Sequence, residues 1–314
     1  MSVRPASSIT AAKSQSWPAL PIAEWLPTRD TLHMWTQIVG KIRMDLTPAV
    51  NHWWHVPLYI GARGLTTGVI PYGARAFEMA FDFIDHALII QTSDAQKSRI
   101  ELVSQPVAEF YKRVMRTMDE LGLPCRIWRM PVEVPAPIPF DEDTVHATYD
   151  RGYVERFWRA LLSLQPVFLE FRGRFLGKSS PLHFFWGSFD LALTRFSGKK
   201  APVRDGVDSI TREAYSHEVI SAGWWTGSGS LTGPAFYAYA APAPEGYYES
   251  ADVKKPGLYS EEFKEFILLY DEVRTADNPE RVLMDFLQQT YEAGARLGRW
   301  DRESLEKDDA NLAA

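Results

Sequence analysis

Four prolines fall within the short segment 131–139 (PVEVPAPIP) near the middle of the chain. Proline fixes φ and has no backbone N–H to donate, so this segment can be neither a helix nor a central strand. An acidic stretch follows it directly. We therefore predict a linker over 131–150 that separates a first half at 28–130 from a second half at 151–300.

The residues on the two sides of this linker show the same order of patterns. Each half begins with a helical pattern, continues with short strand patterns and closes with an amphipathic helix ending in Leu-Gly. The predicted helices lie at about 28–44, 106–122, 153–178 and 279–297, and the predicted strands lie within 52–103 and 183–269. This order predicts an α+β fold with two similar halves, each a mainly antiparallel sheet flanked by helices.

The two ends of the chain differ from the halves. Residues 1–27 form a predicted N-terminal arm in which Trp17, Leu20 and Trp25 can dock on the body, while its prolines, Pro27 among them, are expected to prevent a helix. Residues 301–314 form a predicted polar tail. No stretch resembles a signal peptide or reaches the ~20 apolar residues of a membrane span, so no membrane partner is expected.

The first strands of the halves can be aligned with each other. HWWHVPLYIGARG, from His52, and HFFWGSFDLALTR, from His183, both open with histidine and two aromatic residues. The alignment suggests an internal duplication. Coincidence between two aromatic-rich stretches is the alternative, and it stays open at this point.

Charge and cysteine content restrict the partners. There are 34 Lys and Arg against 40 Asp and Glu, a net charge of −6, which disfavours a nucleic-acid partner. The single cysteine, Cys125, cannot form an intrachain disulfide, which fits a cytoplasmic location. No cofactor is indicated, and the oligomeric state is left open.

Alternation along the two His-led segments sorts their side chains onto two faces, because neighbours in a strand point in opposite directions. One face is apolar. The other mixes aromatic and polar side chains, the composition of a small-molecule pocket. The alternative is a sheet face whose aromatic bodies cover a helix while their polar tips reach water. The mixed face carries Trp53, His55, Tyr59, Arg63, Trp186, Ser188 and Asp190.

These residues lead to a functional prediction. His55 and Asp190 are the predicted proton-transfer pair, and Arg63 is expected to hold an anionic group. Trp53, Trp186 and Tyr239 are expected to stack on the ligand, with Tyr59 and Ser188 beside them. The chain is thus predicted to bind, and in the catalytic interpretation to transform, a small organic molecule in an aromatic-lined polar cleft. Whether it is an enzyme is left open.

Two alternatives accompany this prediction. The first is a non-catalytic module whose exposed aromatic residues bind another protein. The second is a metal-dependent hydrolase or oxidoreductase with a site made of His55, His183 and His217. The metal signal is weak, because HxxH without the Glu of a helical HExxH motif is unspecific.

Further polar residues are expected to be structural. His33, Gln37 and Lys41 recur every four residues along the first helix. Such a stripe can close a polar pocket or face water, and we expect it to face water. The segment GRFLGKS, at 173–179, is one residue short of a phosphate-binding loop and ends a helix instead of starting one.

Several segments together are similar to one known family. They include NHWWHVPLY at 51–59, HFFWGSFDL at 183–191 and FYAYAAPAPEG at 236–246. Over about residues 17–300 the chain resembles an uncharacterised bacterial family with a domain of unknown function. The resemblance implies a single-family bacterial protein, and it implies no activity, cofactor or catalytic residue.

Overall fold

The chain divides into two compact units. A computed structural model describes residues 16–227, 231, 233–250 and 252–307. The first unit contains the described chain up to Ala49, then His55–Leu162 and Phe184–Asp190. The second contains Val50–Trp54, Ser163–His183 and the described chain from Leu191 onward. Neither unit is continuous in sequence, and the proline-rich segment lies inside the first.

The first unit contains a five-stranded antiparallel sheet. Its strands are β1 (Tyr59–Gly61), β2 (Gly64–Tyr72), β3 (Arg75–Asp82), β4 (Ala87–Thr92) and β5 (Lys97–Glu101). Each strand pairs with the next in the chain, which gives the order β1-β2-β3-β4-β5. Gly73, between β2 and β3, has a φ of 57°, a conformation that glycine adopts in tight turns without strain. The sheet is therefore a meander.

Helix α1 (Ile22–Leu46) begins before the predicted start at residue 28, and Pro27 lies inside it. The carbonyl oxygen of Pro27 accepts a hydrogen bond from Thr31 Oγ1 at 3.0 Å. Trp25 in the first turn is fully buried and stacks on Phe157 with ring centroids 5.6 Å apart. The expectation that Pro27 prevents a helix is wrong, because this tertiary packing stabilises the first turns despite one missing main-chain hydrogen bond.

The middle of α1 is buried all round. Every residue from Thr31 to Arg43 is buried, including His33, Gln37 and Lys41. The expectation that this polar stripe faces water is wrong. Gln37 Nε2 donates to the carbonyl oxygen of Val132 at 2.8 Å, and Gln37 Oε1 accepts from the Val132 N–H at 2.9 Å. The Gln37 side chain thus serves as the hydrogen-bonding partner of the Val132 main chain, which lies in a segment with neither helix nor strand.

Aromatic stacking fills the core of the first unit. Trp35 lies 4.5 Å from Phe110, measured between ring centroids, and Phe110 belongs to helix α2 (Val107–Glu120). Phe157 lies 5.3 Å from Phe189 and 5.9 Å from Phe184 in the same way. Such offset and edge contacts stabilise aromatic clusters beyond area burial. The segment Phe184–Asp190 is consequently part of this core.

The remaining elements belong wholly or in part to the second unit. Helix α3 (Arg151–Gly173) begins in the first unit and ends in the second. After it come β6 (His183–Phe185), β7 (Asp190–Lys200), α4 (Ser209–Ala214), β8 (His217–Trp225), β9 (Ala235–Ala241), β10 (Leu258–Ser260), β11 (Glu265–Leu269), α5 (Tyr270–Arg274), α6 (Pro279–Leu297) and α7 (Arg302–Leu305). The strand order is β10-β11-β9-β8-β7-β6. Apart from the β10–β11 hairpin at one edge, this order also follows the chain.

A buried arginine organises the core of the second unit. Arg195 on β7 is 1 % exposed, and its guanidinium carbon lies 3.5 Å from the Phe171 ring centroid and 4.2 Å from that of Tyr291. The guanidinium donates a hydrogen bond to the carbonyl oxygen of Phe171. Burial lowers the pKa of Arg195 to about 9. Aromatic faces and a carbonyl stabilise this cation.

The predicted fold class is confirmed, since the structure has two antiparallel sheets with flanking helices. The duplication stays a prediction. Both strand orders mostly follow the chain, yet 51–53 form a 3₁₀ turn whereas the aligned residues from His183 form a strand.

The ends of the chain are described only in part. Residues 1–15 of the predicted arm and 308–314 of the predicted tail lie outside the described residues. Trp17, Leu20 and Trp25 are buried, and Trp25 lies in α1. Helix α7 occupies part of the segment predicted as a tail. Within the described residues, none of the helices combines the length and apolar character needed to cross a bilayer.

Candidate functional site

A strained turn replaces the predicted strand at the NHWWH segment. His52 has φ 58° and ψ 21°, and Trp53 has φ 60°. Residues other than glycine rarely adopt this left-handed backbone conformation, which costs roughly 1–2 kcal/mol per residue. The expected strand alternation over 52–56 is therefore wrong, because two successive left-handed residues cannot continue a strand.

The turn places the His52 imidazole between two hydrogen-bonding partners. His52 Nδ1 lies 3.2 Å from the carbonyl oxygen of Glu213, in α4. His52 Nε2 lies 2.7 Å from Lys178 Nζ. A carbonyl oxygen only accepts, so Nδ1 carries the proton and Nε2 accepts from the lysine ammonium. Burial and the nearby Lys178 charge lower the pKa of His52, so its neutral form is favoured.

The Lys178 ammonium lies over aromatic rings. Its Nζ is 5.1 Å from the Trp54 ring centroid and 5.0 Å from that of Phe196. The Phe196 N–H donates to the carbonyl oxygen of Lys178 at 3.0 Å, which fixes this residue beside β7. Burial lowers the pKa of Lys178, although much of its side chain is exposed. Lys178 has no carboxylate within ion-pair distance in the described part of the chain.

His217 completes this group, which we name the His52 cluster: His52, Trp54, Lys178, Phe196 and His217. The His52 and His217 rings meet edge to face with centroids 5.8 Å apart. His217 Nδ1 also lies 3.1 Å from Ser216 Oγ. All five residues belong to the second unit. The cluster combines two imidazoles and an ammonium with aromatic surfaces.

Other residues predicted from sequence lie near this cluster. The Trp54 ring is 5.8 Å from that of His183, and Trp54 and Tyr239 pack against the same apolar group around Phe196. The hydroxyls of Tyr239 and Tyr215 are 2.8 Å apart. Burial and the neighbouring Tyr215 raise the pKa of Tyr239 well above its usual value, so its phenol stays protonated. Tyr239 and His183 thus lie beside members of the His52 cluster, to which His217 belongs.

The other predicted site residues, Trp53 apart, belong to the first unit. Arg63 pairs with Asp82 at 2.5 Å and with Asp85 at 2.8 Å. Two carboxylates therefore already balance the charge that was predicted to hold an anionic ligand. The Tyr59 ring lies 5.3 Å from the Arg43 guanidinium carbon. Ser188 is exposed.

Trp186 is buried against helix α1. Its Nε1 donates to the carbonyl oxygen of Val56 at 2.8 Å, and its indole lies against Gly40. The side of the ring that meets Gly40 is thus occupied by the helix. His55 and Asp190 are also buried, at 6 % and 7 % exposure. Their role in proton transfer stays a prediction.

The metal alternative gains no support from these positions. Among the described residues there is no group of three or more His, Cys, Asp or Glu side chains that could hold a metal ion. Cys125 is half-buried, and burial raises the pKa of its thiol to about 11. A thiolate nucleophile is therefore disfavoured near neutral pH.

Sequence reasoning missed His52 and Lys178 as site residues. Strand alternation starting at His52 puts its side chain on the apolar face, and Lys178 lies within GRFLGKS, which falls short of a phosphate-binding loop. The two residues are 126 positions apart in the chain. No local pattern signals such a contact.

The protein is thus an α+β protein with two units, each of which has a mainly antiparallel sheet and helices. The His52 cluster forms a polar site in the second unit. Comparison with family models identifies it further: residues 17–307 match the model of a family described as "Family of unknown function (DUF5996)", and the chain belongs to this family. Neither a curated protein nor a solved structure matches the chain.

Proposed function

We propose that the protein binds a small organic anion at the His52 cluster and that His52 and Lys178 transfer a proton during its conversion. The observation that carries the proposal is the 2.7 Å contact between Lys178 Nζ and His52 Nε2, with His52 Nδ1 fixed by the Glu213 carbonyl. A lysine donor thus meets an imidazole acceptor whose tautomer is set. This is the geometry of an acid–base pair.

The charge of the cluster favours an anionic ligand. An ammonium has three N–H donors, and Lys178 uses one of them on His52. The Arg204 guanidinium carbon, 4.3 Å from the Tyr215 ring centroid, adds a second cation to this unit. The rings of Trp54 and Phe196 under Lys178 offer surface to a planar or apolar body. An aromatic carboxylate has both features.

The protonation states allow transfer in either direction. At neutral pH the lowered pKa of His52 leaves its Nε2 lone pair available, and Lys178 carries the proton that His52 lacks. When an anion takes over the ammonium donors, Nε2 can accept a proton from the ligand. Lys178 Nζ can return one. This step moves protons only and needs no further reactant.

Backbone strain supports a role for the turn beyond packing. Left-handed residues other than glycine persist only where the surroundings enforce them, and they concentrate at functional sites. Here the strain at His52 and Trp53 is what directs the imidazole to Lys178 and Glu213. A turn with less strain would lose this geometry.

Calorimetric titration with sodium benzoate, at constant ionic strength, tests the proposal. We expect binding by the unmodified protein and at least a tenfold loss of affinity in K178M and in H52Q. The control is K112M, which removes the same charge from an exposed lysine paired with Glu109 on α2. Equal affinities in K178M and K112M would contradict the proposal. A parallel titration with sodium phosphate shows whether the protein prefers an aromatic anion or binds any anion.

The proposal keeps the partner and location expected from sequence. It has a small molecule and no nucleic acid as partner, since the net charge is −6. It also keeps a cytoplasmic location, which the single cysteine supports.

A further inference from the structure

An open groove lies on the outer face of the five-stranded sheet in the first unit. Its volume is about 350 Å³, which is within the range of small-molecule sites. Glu78 on β3 lines it, and the neighbours of Glu78 in the strand, Phe77 and Met79, are buried. Because successive side chains of a strand point to opposite faces, the Glu78 side chain lies on the face away from the core.

One row of paired residues crosses the groove. On strands β2 to β5, Val69 pairs with Glu78, Glu78 with Gln91, and Gln91 with Lys97, and all four residues line the groove. Directly paired residues share a face of the sheet. The Cα atoms of Glu78 and Lys97 are about 10 Å apart, since neighbouring strands lie about 4.8 Å apart. A carboxylate and an ammonium thus stand at two ends of one row, with Gln91 between them.

The two charged groups of this row have no ion-pair partner among the residues that the structure describes. The charged residues nearby on the sheet and its turns pair with each other: Arg75 with Asp94 at 3.1 Å, and Arg99 with Glu101 at 2.6 Å. The groove therefore offers one acidic group, Glu78, and one basic group, Lys97, to a ligand.

Hydrogen bonds hold the Glu78 carboxylate in place. Thr66 Oγ1 donates to its Oε1, and Gln91 Nε2 lies 3.4 Å from its Oε2. Each carboxylate oxygen has two lone pairs, so Oε2 can accept from a closer donor beside this long contact. The acid is thus oriented and still able to bind an ammonium.

The turn between β4 and β5 forms one wall of the groove through Ser93, Ala95 and Gln96. The Thr92 N–H donates to the carbonyl oxygen of Gln96 at 2.9 Å, and the Ala95 N–H donates to that of Thr92 at 3.1 Å. These main-chain hydrogen bonds fix the wall, so the groove exists before a ligand arrives.

Small apolar side chains complete the lining. They belong to Val69, Ala76 and Ala95. Phe77 also lines the groove, but its side chain is buried in the core. A quaternary ammonium is recognised by aromatic rings around it, and this lining presents none to the groove. The lining instead suits a primary ammonium beside a small aliphatic group.

We propose that this groove binds a free α-amino acid with a small apolar side chain. The ammonium of the amino acid donates to the Glu78 carboxylate, and its carboxylate accepts from the Lys97 ammonium. A single exposed ion pair contributes little, so a ligand that makes both has an advantage over a simple amine or a simple acid. The aliphatic side chain of the ligand contacts Val69, Ala76 and Ala95.

Titration of the full chain with three ligands, followed by the NMR shifts of the Glu78, Gln91 and Lys97 amides, tests this proposal. L-Valine carries both charges, isobutylamine lacks the carboxylate, and 3-methylbutanoate lacks the ammonium. We expect L-valine to bind at least tenfold more tightly than either analogue. Equal affinities for the three ligands, or no shift of these amides with L-valine, would overturn the proposal.

Two variants assign the charges. K97M should reduce the affinity for L-valine to that for isobutylamine and leave isobutylamine binding unchanged. E78Q should reduce it to that for 3-methylbutanoate and leave 3-methylbutanoate binding unchanged, while the side-chain oxygen of the amide still accepts from Thr66. The control K112M removes an exposed lysine on α2 and should bind L-valine like the unmodified protein.

The circular dichroism spectrum should be the same in all of these variants. Unchanged L-valine affinity in E78Q or in K97M would also contradict the proposal. Benzoate binding at the His52 cluster is independent of either outcome.

Discussion

Gly40 of helix α1 lies directly against the indole of Trp186. A Cβ at this position would be 2.3 Å from Cδ1 and Nε1 of the ring, which is far inside van der Waals contact. Only glycine allows this approach without a shift of the ring. The close contact explains how a tryptophan from 184–190 becomes part of the core around α1.

We expect G40A to lower the free energy of unfolding by about 1–3 kcal/mol, because the added methyl group displaces the indole. This holds even though alanine is the better helix former. Urea unfolding measures the change. Gly173, at the end of α3, has no atom within 4 Å of an added Cβ, so G173A is the control and should be neutral or stabilising. A smaller loss for G40A in a W186F background would confirm the contact.

His33 should make stability depend on pH in the acid range. Burial lowers its pKa to about 4, while Nε2 donates to the Gly187 carbonyl oxygen at 2.8 Å. Between pH 6.5 and 4 the unfolded chain binds a proton that the folded chain does not, so stability falls as the pH falls through this window. The expected loss from this histidine is about 3 kcal/mol.

The comparison with H33Q isolates this effect from other titrating groups. Glutamine can still donate to the Gly187 carbonyl oxygen and does not titrate. Urea unfolding at pH 7.5 and pH 4 should show a larger loss for the unmodified protein than for H33Q. Equal losses would mean that His33 is protonated in the folded state well above pH 4.

The stacking of Arg195 on aromatic rings predicts that R195K is less stable than R195M. Lysine keeps the charge but cannot stack a planar cation on Phe171 and Tyr291, and it is more strongly hydrated. R195K should therefore destabilise by more than about 2 kcal/mol. Methionine fills similar space and removes the buried charge, so R195M should cost less than R195K. The reverse order would show that charge matters more here than planar stacking.

The predicted pair of His55 and Asp190 can be tested separately from the His52 cluster. If these two residues carry proton transfer, H55Q and D190N should abolish turnover or ligand-induced stabilisation while circular dichroism and the unfolding transition persist. Both side chains are buried, so a structural role would appear as a lower unfolding midpoint in both variants. Benzoate titration of H55Q, D190N, K178M and H52Q shows which of the two pairs the ligand contacts.

Periodicity and turn residues were sufficient to predict most of the secondary structure. The apolar spacing of 107–120 and the alternation within β3, β4, β8 and β9 are local signals that agree with the final packing. They fail at His52 and Trp53, because apolar periodicity does not show where a residue other than glycine adopts a left-handed conformation. Because a strand is predicted from His52 where the chain forms a turn, the predicted site omits His52.

The remaining errors concern polar residues. Gln37 and Lys41 were expected in water because a polar stripe on a helix usually faces solvent. Their burial depends on Val132 and Trp128, about 90 residues later in the chain. The Lys178–His52 contact spans a still longer separation. Contacts of this kind arise from tertiary structure, which single-sequence patterns do not encode.

The segment Phe184–Asp190 has a consequence for the order of folding during synthesis. It supplies Phe184, Trp186 and Phe189 to the core of the first unit, although α3 and the loop after it come before these residues in the chain. Domains generally fold as units while the ribosome elongates the chain from the N-terminus. The first unit therefore cannot complete its core until residue 190 has left the ribosome, by which time the first residues of the second unit have also emerged.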